Sequence, residues 1–596
     1  MSGADFAARA LALRGSAQLA ATGPGNGATL VGHRLAAADA VARTLGDRLE
    51  DQISVKDFGA KGDGVTDDTA AIRNAIRATR SRSALFNGFR MGTGCLHFPE
   101  GVYRITQSGV LSDIASTKRC GLTLRGAGRH NTVLWLDPAG ASAEMWFFDN
   151  AATQRQWGAS FEDICFAGGT TWQSADPTTD IGYGFANINL FIKGFKVSGP
   201  GWESNFTFNR CQFRYLETVF QASGGNNADT HIFTACEVAK SINVTVIDNP
   251  QAMSVTWIGC YLNEIYGDTL RYTANAIGGG NFLMQGGAIV AQTYTGMASA
   301  AYVVRCTAGG TTINSVPITF SDVRFELRGN FHGFANVTAA DTIVTARDCS
   351  SWNTGNLDKN FVTVGGYCTV KFDGGAHHHG SGGGKLLLVL NSTGRTGKNA
   401  HLIFTNGYRF PDTIFSEISH TGNGGRLTID ETCCPSASLD PTADPFVTAL
   451  ACDIFGPATV AGGGYAQNSR NRTVRRNSIN PFRSNGQPTG AGGLTGTTVS
   501  VPPFVTLVEA WVKIPVGTGN ASTVRCFIGN KDKSVVYGQT TAGAQNAGQY
   551  LRVDLQMLRV ENVALTREVR FWFDNGAGGN TAALAAGLIY GGVVYE

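Results

Sequence analysis

Phe208-Asn209-Arg210-Cys211-Gln212-Phe213, Phe233-Thr234-Ala235-Cys236-Glu237-Val238 and Trp257-Ile258-Gly259-Cys260-Tyr261-Leu262 follow one six-residue pattern. It runs large apolar, two free places, a small or branched residue, one free place, large apolar. The pattern recurs as Phe161–Phe166, Met284–Ile289 and Phe320–Phe325, and in looser form from Ala346, Phe372 and Phe404. Its fourth place holds Ile164, Cys211, Cys236, Cys260, Gly287, Val323, Cys349, Gly375 and Gly407. Neighbouring copies are mostly about 25 residues apart with Gly-rich gaps, and such a period of short β-type units marks a parallel β-solenoid. One coil cannot bury its inner face alone, so coils stack and hide a continuous column. The fourth place is then an inward file at a narrow bend, where Cys serves as a compact apolar side chain. Zinc sites use Cys pairs a few residues apart, so this spacing reads as core, not metal.

Composition agrees with an all-β chain of large size. Of 596 residues 77 are Gly and only 17 Pro, and 16% are charged, which supplies turns without the charge excess of a disordered chain. The net charge of +3 argues against a protein that grips nucleic acid. The longest apolar runs, such as Leu386–Leu390, are far short of the ~18 residues of a membrane helix. Asp5, Arg9 and Arg14 interrupt the start of the chain, which predicts no secretory signal, and the odd count of 13 Cys predicts reduced thiols rather than a disulfide framework.

Outside the solenoid the chain changes character. Residues 1–22 and 33–51 are Ala-rich and helix-prone, separated by Gly23-Pro24-Gly25-Asn26-Gly27. Leu35, Ala38, Val41, Ala42, Leu45 and Leu49 form a stripe at helical spacing, read either as packing on the next domain or as pairing with copies of itself. Asp67-Asp68-Thr69 precedes the apolar run Ala71, Ile72, Ala75, Ile76 and reads as a helix N-cap rather than an acid pair. The organisation expected is a helical segment over 1–52, the solenoid over 53–435, a Gly/Arg-rich connector over 436–496 and an antiparallel β-sandwich over 497–596. In the connector Arg470, Arg472, Arg475, Arg476 and Arg483 crowd together, as a surface connector or subunit contact.

The run Ser54-Val55-Lys56-Asp57-Phe58-Gly59-Ala60-Lys61-Gly62-Asp63-Gly64-Val65-Thr66-Asp67-Asp68-Thr69, followed by Phe98-Pro99-Glu100-Gly101-Val102-Tyr103-Arg104-Ile105, resembles the opening of pectate-lyase-like β-helix proteins. The lead-in Leu45-Gly46-Asp47-Arg48-Leu49-Glu50-Asp51 is similar to that of bacteriophage tailspikes. The resemblance covers residues 45–105. It implies a right-handed parallel β-helix, a homotrimer, attachment to the phage tail or baseplate through residues 1–52, assembly in the virion, and binding and cleavage of bacterial surface polysaccharide. The Asn-Thr-Asp and Gly-His-Gly strings of pectin-cleaving members are not found, and the nearest histidine string is His377-His378-His379. That departure counts against a pectin hydrolase.

Hydrolysing a glycosidic bond needs a proton donor and a second carboxylate, ~5–5.5 Å apart for retention and ~6.5–9.5 Å for inversion. Coils ~4.8 Å apart provide such spacings from the backbone alone. By alternation the third, fifth and seventh places of the unit point outward. They hold Asp163, Asp322 and Asp348, then Glu237, then Glu326, with Glu264 and Asp268 just beyond the unit in a neighbouring coil. Glu237 with Glu264 is the preferred catalytic pair, and Asp322, Glu326 and Asp348 form a second cluster. Tyr261, Tyr266 and Trp352, with Asp268, are the expected sugar-binding residues, since aromatic rings offer flat apolar faces to sugars. Trp257 takes an inward place and reads as core. No cofactor or metal is expected: Gly380–Lys385 lacks the Ser or Thr of a phosphate loop, and the histidine run lacks partner ligands. The alternatives are a lyase acting on an acidic glycan, and a binding protein that cleaves nothing.

Overall fold

The computed structural model describes residues 3–21, 23, 26–81, 84–86, 89–91, 94–112, 119–149, 156–169, 188–198, 203–224, 228–250, 254–276, 280–293, 301–307, 316–328, 332–338, 342–353, 361–379, 387–390 and 400–408, and beyond these a set of separate strands from 418 to 595. The chain divides into two compact units, Met1–Ala239 and Lys240–Glu596. Among the described residues no helix is long and apolar enough to cross a membrane.

Unit 1 opens with α1 (Gly3–Ala20). The helix expected over 33–51 is confined to α2 (Leu45–Leu49). Gly32–His33 instead pairs antiparallel with Arg43–Thr44. Thr44 and Asp47 then cap each other's backbone N–H groups, which fixes the helix start at residue 45. The stripe residues Leu35, Val41, Leu45 and Leu49 are all exposed. Of the paired aspartates only Asp67 serves the helix start, accepting from the Thr69 backbone, while Asp68 instead accepts from the Lys61 and Gly62 backbones and ties down the preceding turn. The following α3 (Thr69–Ser81) buries Ile72, Ala75 and Ile76.

Parallel strands follow in coils. Phe161 pairs with Phe208 and Phe208 with Phe233, while Phe166 pairs with Phe213 and Phe213 with Val238. The rings stack, Phe161 on Phe208 at 4.9 Å and Phe208 on Phe233 at 4.5 Å between centroids. A second parallel sheet runs through Met145–Asp149, Ile192–Ser198 and Thr218–Ser223.

Unit 2 repeats the arrangement. Trp257, Met284, Phe320, Ala346, Phe372 and Phe404 share one inward file, and Leu262, Ile289 and Phe325 share another. The second sheet of this unit includes Leu270–Tyr272, Ala301–Cys306, His332–Val337 and Val362–Val364, all parallel. Farther on the strands turn antiparallel. One set joins Ile479–Ser484, Ile589–Tyr595, Leu507–Lys513 and Tyr550–Arg552. The other joins Thr497–Val501, Arg567–Asp574, Thr523–Asn530 and Val536–Gln539. Ile479–Ser484, inside the segment read as connector, is thus part of the first set. Arg470, Arg472, Arg475 and Arg476 lie outside the described residues, as does Gly380–Lys385.

The fourth-place ladder is where the repeat put it: Ile164, Cys211, Cys236, Cys260, Val323 and Cys349 are all buried. The thiols also donate weak hydrogen bonds, Cys211 to the carbonyl of Phe161, Cys236 to Phe208 and Cys349 to Phe320. Each reaches the first-place carbonyl of an earlier coil, a polar role that the small-hydrophobe reading left out. The third place departs from simple alternation. Asp163, Arg210 and Ala235 in unit 1, and Gly259, Gly286, Asp322, Asp348, Gly374 and Asn406 in unit 2, all have positive φ. Each is a left-handed corner, where Gly, Asn and Asp are tolerated best. After it the alternation restarts, so the second place also faces outward, with Glu162, Asn209, Gln285 and Arg347 along it.

At Gly287 a Cβ would sit 2.0 Å from the Cys260 carbonyl oxygen, with φ at +87°, whereas at Gly259, φ +59°, a Cβ meets nothing within 4 Å. Gly287→Ala should therefore cost about 3 kcal/mol of stability and Gly259→Ala only about 1 kcal/mol, in urea unfolding of the two variants. Burial holds two core imidazoles neutral. His231 lies between the rings of Phe206 and Phe220 with its pKa lowered to about 3. His332, with no hydrogen-bond partner among the described residues, is lowered to about 4. The unfolded chain takes up these protons near pH ~6.5, so the stability they hold is complete above that pH and falls toward pH 4. Wild type should thus lose stability relative to His332→Leu as pH is lowered from 7 to 4, by a few kcal/mol; parallel curves would refute it.

Candidate functional site

In unit 2 the outer wall beside the inward files is formed by Ser254–Ile265, Asn281–Gln292, Arg324–Arg328 and Ser350–Asn353. Side chains on these strands alternate, so register decides which outward groups become neighbours. Tyr261 pairs with Ala288, Ala288 with Arg324 and Arg324 with Ser350, which makes one outward column. The next holds Val290, Glu326 and Trp352.

Glu264 enters this second column through a bulge. Leu262 pairs with Ile289 and Ile265 with Ala291, so Asn263 and Glu264 together face Val290. The extra residue is accommodated by a left-handed Glu264, φ 52°. Such a conformation is uncommon for Glu, and bulges of this kind re-aim a side chain. The column therefore runs from Asn263 and Glu264 together through Val290 and Glu326 to Trp352. The Tyr266 ring is buried, and its hydroxyl donates to Glu264 Oε2 at 3.2 Å.

Glu326 is held from both sides of its own strand. Arg324 Nη2 contacts Oε1 and Arg328 Nη2 donates to Oε2 at 2.7 Å. The hydrogen bond from Arg328, with the charge of both guanidiniums, keeps the Glu326 carboxyl below its usual range against the opposing effect of partial burial. Both arginines are otherwise exposed. Trp352 is 48% exposed and Tyr261 45%, so two aromatic faces are open on the same wall. Val290, between the two carboxylates, is 4% exposed.

The other expected residues sit elsewhere. Asp268 is buried, accepting from the Tyr302 backbone at 3.0 Å and from Arg305 Nε at 2.7 Å, an ion pair internal to the second sheet. Asp322 and Asp348 are exposed corner residues; Ser321 donates to Asp322, and the Asp348 carboxylate lies over Gly374. Glu237 belongs to unit 1, where it is half-buried, pairs with Gln212 and donates its backbone N–H to Cys211. Trp257 is core, as read. The backbone of His377–His379 continues the wall beside Ser351–Asn353, but the histidine side chains lie outside the described residues. Sequence reasoning missed Val290, Arg324 and Arg328. The alternation Arg324-Phe325-Glu326-Leu327-Arg328 was the available signal, since it sets three charged groups on one face.

Comparison with known proteins agrees with the resemblance of the opening segment. A family model described as rhamnogalacturonase A/epimerase, pectate lyase-like, matches residues 52–167. Mannuronan C5-epimerase AlgE6 of Azotobacter vinelandii is 30% identical over 163 residues, 27% of this chain and 16% of that protein. Alginate lyase 7 of the same organism is 40% identical over 85 residues, 14% of this chain and 9% of that protein. These matches span under a fifth of either relative's length. A mutant tailspike protein of E. coli bacteriophage HK620, solved in complex with a pentasaccharide, superposes with a TM-score of 0.50 at 10% identity. That likeness covers 94% of this chain and 99% of that one, and it shows a shared fold. A mostly β chain with parallel strands in curled sheets is the common ground.

Removing Arg328 should let the Glu326 carboxyl titrate higher, toward its ordinary value. In a carboxyl ¹³C titration Arg328→Met should move the Glu326 midpoint upward and Arg328→Lys should move it less. An unchanged midpoint would show that Arg328 does not set the charge of this group.

Proposed function

We propose that the chain is a phage tailspike that binds bacterial surface polysaccharide and hydrolyses it at internal bonds. In this reading the solenoid is right-handed and homotrimeric. Residues 1–52 attach to the tail or baseplate, 53–435 carry the binding wall, 436–496 connect, and 497–596 serve trimerisation or sugar binding. The tailspike-like fold and the polysaccharide-modifying relatives support the class of substrate. The observation that carries the reading is the wall on which Asn263 and Glu264 stand opposite Val290, with Glu326 and the half-exposed Trp352 following on the next coils.

Trp352 and Tyr261 present sugar-stacking faces at opposite ends of that wall. Glu326, kept ionised by Arg324 and Arg328, is the base or charge-stabilising carboxylate. Glu264, positioned by the Tyr266 hydroxyl, is the proton donor to the leaving oxygen. Glu264 was one half of the pair preferred on sequence, and Glu326 replaces Glu237 beside it because register puts it in the same column. A second reading, eliminative cleavage of an acidic glycan, has one observation in its favour: Arg324 and Arg328 expose guanidiniums suited to a uronate carboxylate.

The test is incubation with purified capsular, exopolysaccharide and O-antigen chains. Shortening without unsaturated-uronate absorbance supports hydrolysis, new absorbance supports the lyase, and tight binding to intact chains leaves a receptor-binding adhesin. Glu264→Gln and Glu326→Gln should each slow cleavage at least ~10²-fold while retaining binding. Trp352→Ala and Tyr261→Ala should weaken binding. Full activity in both Gln variants would discard this pair.

A further inference from the structure

We infer that Asn26 is a site of spontaneous deamidation in the folded protein, and that Asn406, in the same dipeptide, is held back from this reaction by Asp373. Six Asn-Gly pairs occur in the chain, of which Asn26-Gly27 and Asn406-Gly407 lie within the described residues. In such a pair the backbone nitrogen of the glycine attacks the side-chain amide carbon, and glycine, having no Cβ, crowds that approach least. Reaction requires that the nitrogen be free and that the amide be able to swing onto it. At Asn26 both conditions hold. Its backbone N–H donates to the Gly23 carbonyl at 3.1 Å, and its carbonyl accepts from the Thr29 backbone at 3.3 Å and from the Thr29 hydroxyl at 2.7 Å, which fixes a turn after α1. The Asn26 side-chain amide has no hydrogen-bond partner among the described residues, and neither has the Gly27 N–H. Gly27 opens the short helical turn Gly27–Leu30, where the first N–H groups have no intrahelical acceptor.

At Asn406 the amide is committed. Its Nδ2 donates to Asp373 Oδ1, and Asp373 is itself buried and fixed by the Thr405 hydroxyl at 2.8 Å and by Arg347 and Lys371. A hydrogen bond to a charged acceptor is stronger than a neutral one, so the amide is kept from the Gly407 nitrogen. At Asn26 the Gly27 nitrogen bonds to Cγ as the Cγ–Nδ2 bond breaks. The nitrogen's proton passes to the departing amide nitrogen, which leaves as ammonia. One water then opens the five-membered imide at either carbonyl, giving aspartate or isoaspartate. The isoaspartate carries the main chain through the side-chain carbon, adds one methylene, and turns the carbonyl that Thr29 holds into a free carboxylate. Little slack is present to absorb this, since Gly27 has φ +58° and a Cβ there would sit 2.7 Å from the Ala21 carbonyl oxygen. Conversion therefore loosens the turn that follows α1.

The experiment ages the full-length chain at mildly alkaline pH, native and in urea, and follows the two peptides by mass and by isoaspartyl-methyltransferase labelling. In the native chain conversion at Asn26 should run at least ~10-fold ahead of conversion at Asn406, the factor that one charge-assisted hydrogen bond supplies. In urea the two rates should come together, because both pairs then lie in open chain. Asp373→Asn should speed conversion at Asn406 and leave Asn26 unchanged. Amide exchange at Thr29 should rise with the converted fraction. Equal rates in the native chain, or an Asn26 that stays intact while the unfolded chain converts, would overturn the inference. Exchange at Thr29 that ignores conversion would overturn the loosened turn.

Discussion

Each coil turns because one residue in it leaves the β region. At the third place of the repeat the backbone is left-handed in every copy described, from Asp163 to Asn406. A left-handed residue costs roughly 1–2 kcal/mol when it carries a Cβ, and Gly, Asn and Asp meet that cost most easily. The cost is offset by what the corner permits. The next residue turns inward, into a buried fourth place that holds Ile164, Cys211 and Cys236 in unit 1 and Cys260, Val323 and Cys349 in unit 2. Its thiols then reach carbonyls of earlier coils. Corner, small residue and thiol contact depend on one another, and the stacked aromatics on either side depend on all three. Without the corner, Phe161 and Phe166 would sit on opposite faces of a straight strand.

This constraint also decides what outward carboxylates mean. An Asp at the third place answers to the backbone before it answers to any substrate. Asp163 pairs with Arg210 of the next coil, and Asp348 lies over Gly374. Chemistry is freer at places where the strand is regular and a side chain is not needed to shape it. Glu326 is at such a place, and its two arginine neighbours tune its charge without involving the core. Glu264 is different again. Its φ is left-handed, as it is at the equivalent places Tyr215 and Lys240, and a bulge sets Asn263 and Glu264 together opposite Val290.

Much of the fold was legible because it repeats. The inward files, the Cys ladder, the Asp67 cap and the inward Trp257 all follow from residue size and spacing, and burial and the Thr69–Asp67 bond bear them out. The helix over 33–51 failed because periodicity ignores local competition: the cap at Thr44 and the short ladder at Arg43 use hydrogen bonds the longer helix would have needed. The wall was half legible. Glu264, Glu326, Tyr261 and Trp352 were marked by chemistry, yet nothing in their order says that Glu264 occupies a bulge or that Val290 separates the acids. Those facts are register, and register depends on the pairing of strands far apart in sequence. Asp268 and Tyr266 failed as sugar contacts for the same reason. Lying near Glu264 in sequence, they point into the second sheet and beneath the wall, where burial assigns them to structure.

The wall shows how a solenoid groups outward charged and aromatic side chains with little disturbance to its core. Inward neighbours of the column such as Leu262, Ile289, Phe325 and Leu327 are ordinary apolar residues of the file, and Ser351 beside Trp352 is a buried polar one. The specialised features are all outward: a bulge, and clamps made within single strands. Because Arg324 and Arg328 hold Glu326 within its own coil, its place along the wall follows the count of coils. A solenoid thereby converts the spacing of outward groups into an integer count of coils. Changing that count takes exchange of the residues at two outward places on neighbouring coils, with the inward file left intact.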